Sequence, residues 1–177
     1  MLEKNVHEEI IVHTRGEVSF AGKVYRAALG RSGVVDNKHE GDDATPIGIF
    51  PIRKVLYRED RIGKPISVFE TFPILPSDAW SDAVEDLVNY NTQVKLPYEF
   101  SHEKLWKNDD TYNIVVVLGY NDTLPTIGKG SAIFMHIARA EYSPTEGCVA
   151  LSEPDLREIL QTASKETAVH ILSIIGE

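Results

Sequence analysis

Residues 131–150 read Ser131-Ala-Ile-Phe-Met-His-Ile-Ala-Arg-Ala-Glu-Tyr-Ser-Pro-Thr-Glu-Gly-Cys-Val-Ala. The apolar run from Ala132 to Met135 reads as a strand that delivers His136 at its end. A turn-rich segment then returns the chain to Thr145-Glu146-Gly147-Cys148 and a second short apolar run. The spacing predicts strand, loop and strand, with an imidazole and a thiol facing each other where the strands meet. Cys148 is the only cysteine, so no internal disulfide exists.

The pair carries a definite chemistry. A thiolate is the best nucleophile a side chain offers near neutral pH, and a histidine that takes the thiol proton creates one. The sulfur can then attack a carbonyl and form a thioester. No Asp or Asn lies beside His136, so the backbone carbonyl of Ile137 is the expected group to orient the ring. Gly147 lets the backbone approach a substrate, and its N–H is expected to join that of Cys148 in holding an oxyanion. A free cysteine is also a common inert core residue. Spacing alone therefore leaves catalytic and packing readings side by side.

At 177 residues the chain is most simply one domain, 1–177, large enough to bury a full core. Lys and Arg total 18 against 27 Asp and Glu, for a formal charge of −9. Such a surface lacks the basic stripe that a nucleic-acid partner needs. The start, Met1-Leu-Glu-Lys-Asn-Val-His-Glu-Glu, has no positive segment followed by an apolar one, so no secretory signal is expected and the chain as given reads as cytoplasmic. No apolar run approaches the roughly 18 residues of a membrane span. The six histidines show no HxH or HExxH spacing, and neither a metal nor another cofactor is expected. Oligomeric state cannot be read from the residues.

Outward from the central stretch, β-structure dominates. Glu9-Ile-Ile-Val-His-Thr and the segment from Val18 to Leu29 read as strands around a turn at Arg15-Gly16. Residues 30–45, rich in Gly, Asp, Asn and Lys, read as loop; residues 46–57 read as a strand broken by turn residues at its start. Residues 58–112 are irregular, with modest helix candidates at 81–87 and 101–107, and such long segments often form lids or binding walls. Residues 112–118, containing Ile114-Val-Val-Val-Leu118, read as a strand apolar enough to be buried on both faces. Ser152, Pro154 and Asp155 start a helix, and residues 168–175 form a last strand. The fold class is mainly β (α+β), with one to three short helices.

Several separated motifs, in order, resemble the L,D-transpeptidase catalytic domain (YkuD-like). Phe134 to Leu151 resembles its cysteine signature, and Gly41-Asp-Asp-Ala-Thr-Pro-Ile-Gly48 followed by Phe50 resembles its Gly-Asp-x-x-Thr-Pro-x-Gly-x-Phe element. Trp80 with Asp82, Tyr90-Asn91, Ser101-His-Glu-Lys-Leu-Trp, Gly119-Tyr-Asn and Gly128-Lys-Gly-Ser-Ala-Ile-Phe resemble one branch of it. The resemblance implies a β-sandwich or barrel, with Cys148 as nucleophile and His136 as base. It implies a peptidoglycan stem peptide or muropeptide as partner, acyl transfer to an amine or to water, and a cell-envelope setting. Thr145 would shape the turn. Where most of the family has a second histidine, two residues before the cysteine, stands Glu146; where it has Arg or Asn two residues after, stands Ala150. A module that binds the same wall peptides without turnover is the alternative. Arg58 and Arg61 could clamp a substrate carboxylate, and Tyr90, Asn91, Glu103 and Glu146 could line the substrate cleft. Trp80 and Trp106 read as wall or core.

Overall fold

In a computed structural model, residues 9–173 are described. The last-strand expectation at 174–175 and the polar start at 1–8 lie outside these residues.

Strands follow the chain as β1 (Ile10–His13), β2 (Glu17–Phe20), β3 (Lys23–Ala28), β4 (Val34–Val35), β5 (Thr45–Pro46), β6 (Gly48–Tyr57) and β7 (Thr71–Pro73). After them come β8 (Asp78–Ser81), β9 (Gln93–Lys95), β10 (His102–Lys104), β11 (Ile114–Leu118), β12 (Phe134–Ile137), β13 (Val149–Leu151), helix α1 (Glu153–Thr162) and β14 (Ala168–Ile171). The main sheet runs β11-β12-β13-β3-β2-β1-β14-β6-β7, and β11 also pairs with β6. That second pairing closes the sheet on itself as a barrel and leaves β7 outside. The long β6 makes closure possible: residues 48–51 pair with β14, and residues 52–57 pair with β11.

The unbroken apolar run of β11 has the physical meaning its composition suggests. All five residues are buried. Alternation sends Ile114, Val116 and Leu118 into the barrel core, and Val115 and Val117 into a second apolar cluster with Trp80, Phe134, Tyr112 and Cys148. Side chains of this kind stabilise a fold by about 1.5–3 kcal/mol each when fully buried. The second cluster matters most for function, because it forms the floor beneath the cysteine.

Helix α1 forms where its start signal stands. Ser152 Oγ accepts from Asp155 N–H, Pro154 sits in the first turn, and Leu156, Ile159 and Leu160 cover the barrel core. The other two helix expectations are corrected. Residues 84–91 form turns, because the Asp86 carboxylate accepts from Val88 N, Asn89 N, Asn89 Nδ2 and Tyr98 Oη. A side chain that captures nearby backbone donors offers the chain an alternative to a helix. Residues 102–104 instead form β10, paired with β8 in a small sheet ordered β10-β8-β9. Pairing with Trp80 and its neighbours outweighs a weak local preference. Only a single 3-10 turn, Ala140–Tyr142, accompanies α1 among the described residues.

Candidate active site

β12 and β13 lie side by side and parallel, with Met135 opposite Val149. This register sets Cys148, one residue before β13, against the entry of β12. Its sulfur is buried, donates to Ala132 O at 3.2 Å and accepts from Phe134 N–H at 3.4 Å. His136 is also buried, and its Nδ1 lies 2.9 Å from Ile137 O. A carbonyl only accepts, so Nδ1 carries the proton and Nε2 has a free lone pair. The orienting group is the carbonyl that the sequence points to.

Both residues line one cavity of about 460 Å³. Burial holds the two groups neutral at rest. It pushes the Cys148 thiol up to about 12 and the His136 imidazole down to about 4. The thiol is opposed further by Glu103 and Glu146, and favoured by the Phe134 N–H and by Lys38. The histidine ring is held against Tyr112, edge to face, with centroids 5.2 Å apart. Tyr112 bonds to Glu103, which pairs with Lys107 at 2.5 Å. The residue before that tyrosine, Thr111, accepts from Ile137 N–H at 2.9 Å. The loop bearing Tyr112 is therefore stitched directly to the histidine strand.

The turn before the cysteine is built by Thr145. Its Oγ1 donates to Cys148 O at 2.6 Å and accepts from Gly147 N–H at 3.1 Å. The Gly147 N–H, expected as an oxyanion donor, is engaged inside the turn. The glycine has another physical role. Its φ is +137°, and a Cβ there would fall 2.7 Å from Ala44 O. Gly30 is equally constrained, since a Cβ would meet Asp43 O at 2.5 Å. Both glycines let residues 43–45 run close over the cysteine turn.

The remaining expected residues separate into two groups. Glu103, Thr145 and Glu146 line the cavity with Cys148 and His136. Arg58, Arg61, Tyr90 and Asn91 do not. Arg58 is 3% exposed, grips Asp60 through two 2.8 Å bonds, donates to Lys107 O and stacks 3.5 Å from the Trp106 ring centre. Arg61 donates to Asn108 O, Asp109 O and Asn113 Oδ1. The donors expected to clamp a substrate carboxylate are engaged within the protein, those of Arg58 by Asp60 and Lys107 O and those of Arg61 by residues 108–113.

Tyr90 Oη donates to Glu40 at 2.6 Å and accepts from Gly130 N–H. Asn91 accepts from Trp80 Nε1 and Ala132 N–H and donates to Tyr120 O and Asn121 O. They brace the segment that carries Ala132 and stand outside the cavity lining where substrate contact was expected. Sequence reasoning missed Tyr112, Lys38 and Asp82 as cavity residues. A tyrosine just ahead of the most apolar strand was a usable signal; a lysine inside a polar loop was not. Asp82 Oδ1 is buried with no partner among the described residues.

The class that fold and site define is a closed β-barrel domain holding a buried cysteine and a carbonyl-oriented histidine in one cleft. The model of the L,D-transpeptidase catalytic domain (YkuD) matches residues 8–171, and the chain belongs to that family. Bd1075 of Bdellovibrio bacteriovorus is similar in structure at 14% identity and a TM-score of 0.50, over 94% of this chain and 48% of that one. L,D-transpeptidase 1 of Mycobacterium tuberculosis is similar at 13% identity and a TM-score of 0.41, over 94% of this chain and 62% of that one. An L,D-transpeptidase of Mycobacterium smegmatis gives 13%, 0.42, 94% and 59%. The chain thus spans between about half and under two thirds of these proteins. No curated protein sequence matches it. No helix among the described residues is long and apolar enough to cross a membrane.

Proposed function

We propose that this chain is a cysteine acyl-transferase that takes its acyl group from a peptidoglycan stem peptide. The observation that carries the reading is the His136 Nδ1–Ile137 O bond. It leaves Nε2 unprotonated in the cavity that Cys148 shares.

In the first step the S–H bond breaks, the proton passes to Nε2, and the electron pair stays on sulfur. The thiolate adds to the carbonyl before a terminal D-amino acid. The imidazolium returns its proton to the departing amine, leaving a thioester. An amine or water then attacks that thioester, with His136 as base, giving transfer or hydrolysis. Since Gly147 N–H is occupied by Thr145, the Cys148 N–H is the donor we assign to the oxyanion. Family membership supports a wall peptide as donor and a place at the cell envelope.

The second reading is a domain that binds wall peptides without turnover. A thiol raised to about 12 beside an imidazole lowered to about 4 favours it, because the resting pair is far from ionised. One experiment decides between the two. A carbapenem, followed by intact-mass analysis, should add one acyl group to the chain and none to Cys148→Ala. Incubation with defined tetrapeptide and pentapeptide muropeptides, read by mass, then identifies the product. No adduct and no product would sink the enzyme reading.

A further inference from the structure

The cavity wall carries a cation that the cysteine–histidine pair does not explain. Lys38 is 5% exposed, and a buried ammonium costs several kcal/mol unless it is paired. Its Nζ donates to Asp42 Oδ1 at 2.6 Å and approaches His39 O at 3.4 Å. An ammonium has three donors; the third meets no protein acceptor among the described residues.

Two chains of contacts tie this lysine to the cysteine. Its stem lies on Gly130, where a Cβ would sit 2.9 Å from Lys38 Cε. Two residues further along, Ala132 O receives the thiol hydrogen. On the other side, Asp42 accepts from Ala44 N–H at 3.0 Å, and Ala44 O is the atom pressed against Gly147. The cavity that holds the sulfur is also lined by Arg31, Glu40, Asp43, Asp82, Lys107 and Arg139. The charges that act on the thiol are Glu103, Glu146 and Lys38, with Tyr112 and the His136 ring beside them. Two carboxylates oppose a thiolate, the tyrosine is neutral, and the imidazole is neutral until the proton moves. Of the cavity's cations, Arg139 and Lys107 act on the imidazole, and Lys38 is the one that favours the thiolate.

We propose that Lys38 is a positioning residue for charge: its ammonium stabilises the Cys148 thiolate formed when the thiol proton moves to His136 Nε2. The inference rests on Cys148 being the nucleophile of the proposed function. It does not need a peptide substrate to be tested.

The test is the pH dependence of Cys148 alkylation by iodoacetamide, followed by intact mass. The variants are Lys38→Met, Lys38→Arg and the double variant Lys38→Met/Asp42→Asn, which leaves no carboxylate unpaired. Loss of the charge should slow alkylation at pH 8 about tenfold, the effect of about one pH unit in the thiol's ionisation. Lys38→Arg should keep most of the wild-type rate. A merely structural lesion would expose the sulfur and speed the reaction, the opposite sign. Superimposable profiles for wild type and the folded double variant would overturn the proposal. So would an arginine variant as slow as the methionine one. A chain that shows the expected slowing yet turns over no wall peptide would refute the proposed function while leaving this inference standing.

Discussion

Ala44 O stands 2.7 Å from the point where a side chain at Gly147 would begin. The cysteine turn and the 43–45 segment can therefore meet only through a residue with no Cβ, and the φ of +137° at that glycine adds a second requirement. Gly147→Ala must open the contact or strain the turn, at about 2–3 kcal/mol. The melting temperature should fall by roughly 4–12 °C. Carbapenem acylation should fall with it, because Cys148 moves with the turn. A variant with wild-type melting and wild-type acylation would show that the close approach has no bearing on the site.

Acid stability should report His136. Its ordinary value is 6.5 and burial lowers it to about 4 in the folded chain. The unfolded chain therefore takes up a proton first as pH falls. The stability held above pH 6.5 is lost between about 6.5 and about 4, and the loss amounts to about 3 kcal/mol. Cys148 acts at the other end: its folded value is raised to about 12 from 9.0. Its contribution is complete below about pH 9 and disappears as pH rises towards 12. Urea unfolding midpoints across pH, for wild type and His136→Gln, check the acid limb. The variant should have a visibly flatter slope between pH 6.5 and 4.

Arg58 is the side chain whose role changes most between sequence and structure. Beside Glu59 and Asp60 it reads as a surface clamp, yet it is buried under Trp106 and holds the carbonyl of Lys107. Arg58→Gln should loosen the loop that presents Tyr112 to His136. We expect a stability loss of about 2 kcal/mol, below the 3–5 of a fully buried pair, because Asp60 is half exposed. Turnover should fall through kcat, with KM little changed. A raised KM at unchanged kcat would restore the substrate clamp.

These cases show where local sequence carries information. The β11 run and the Ser152 start signal were legible because each is decided by neighbouring residues: apolar continuity in one, a hydroxyl three residues from its N–H in the other. That Cys148 and His136 meet in one cleft was legible because His136 ends one apolar run and Cys148 begins the following one, and the carbonyl that orients the ring is the adjacent residue's. Arg58, Lys38 and Asn91 were not, since what determines each is a partner distant in the chain. Lys38 is buried because Gly130 leaves room for its stem, and a polar loop around it gives no sign of that. The 81–87 helix reading failed for a local reason that was available: an aspartate positioned to collect the amides after it.

Asn91 provides the sharpest test of how far the cysteine depends on distant support. Its amide accepts from Trp80 Nε1 at 2.9 Å and Ala132 N–H at 3.0 Å, and donates to two carbonyls at 2.9 Å. Its φ of +57° is a conformation that Asn tolerates and Ala does not favour. Asn91→Ala leaves buried polar groups without partners, each costing about 1–3 kcal/mol, so a total of about 3 kcal/mol or more is expected. Ala132 also loses the bond that places its carbonyl against the thiol. Native-state alkylation of Cys148 should quicken while peptide turnover drops, because the sulfur becomes accessible but poorly placed. Asn91→Asp keeps two acceptors and should recover part of the stability. An alanine variant with unchanged unfolding midpoint and unchanged alkylation rate would show that the site holds its geometry without this strut.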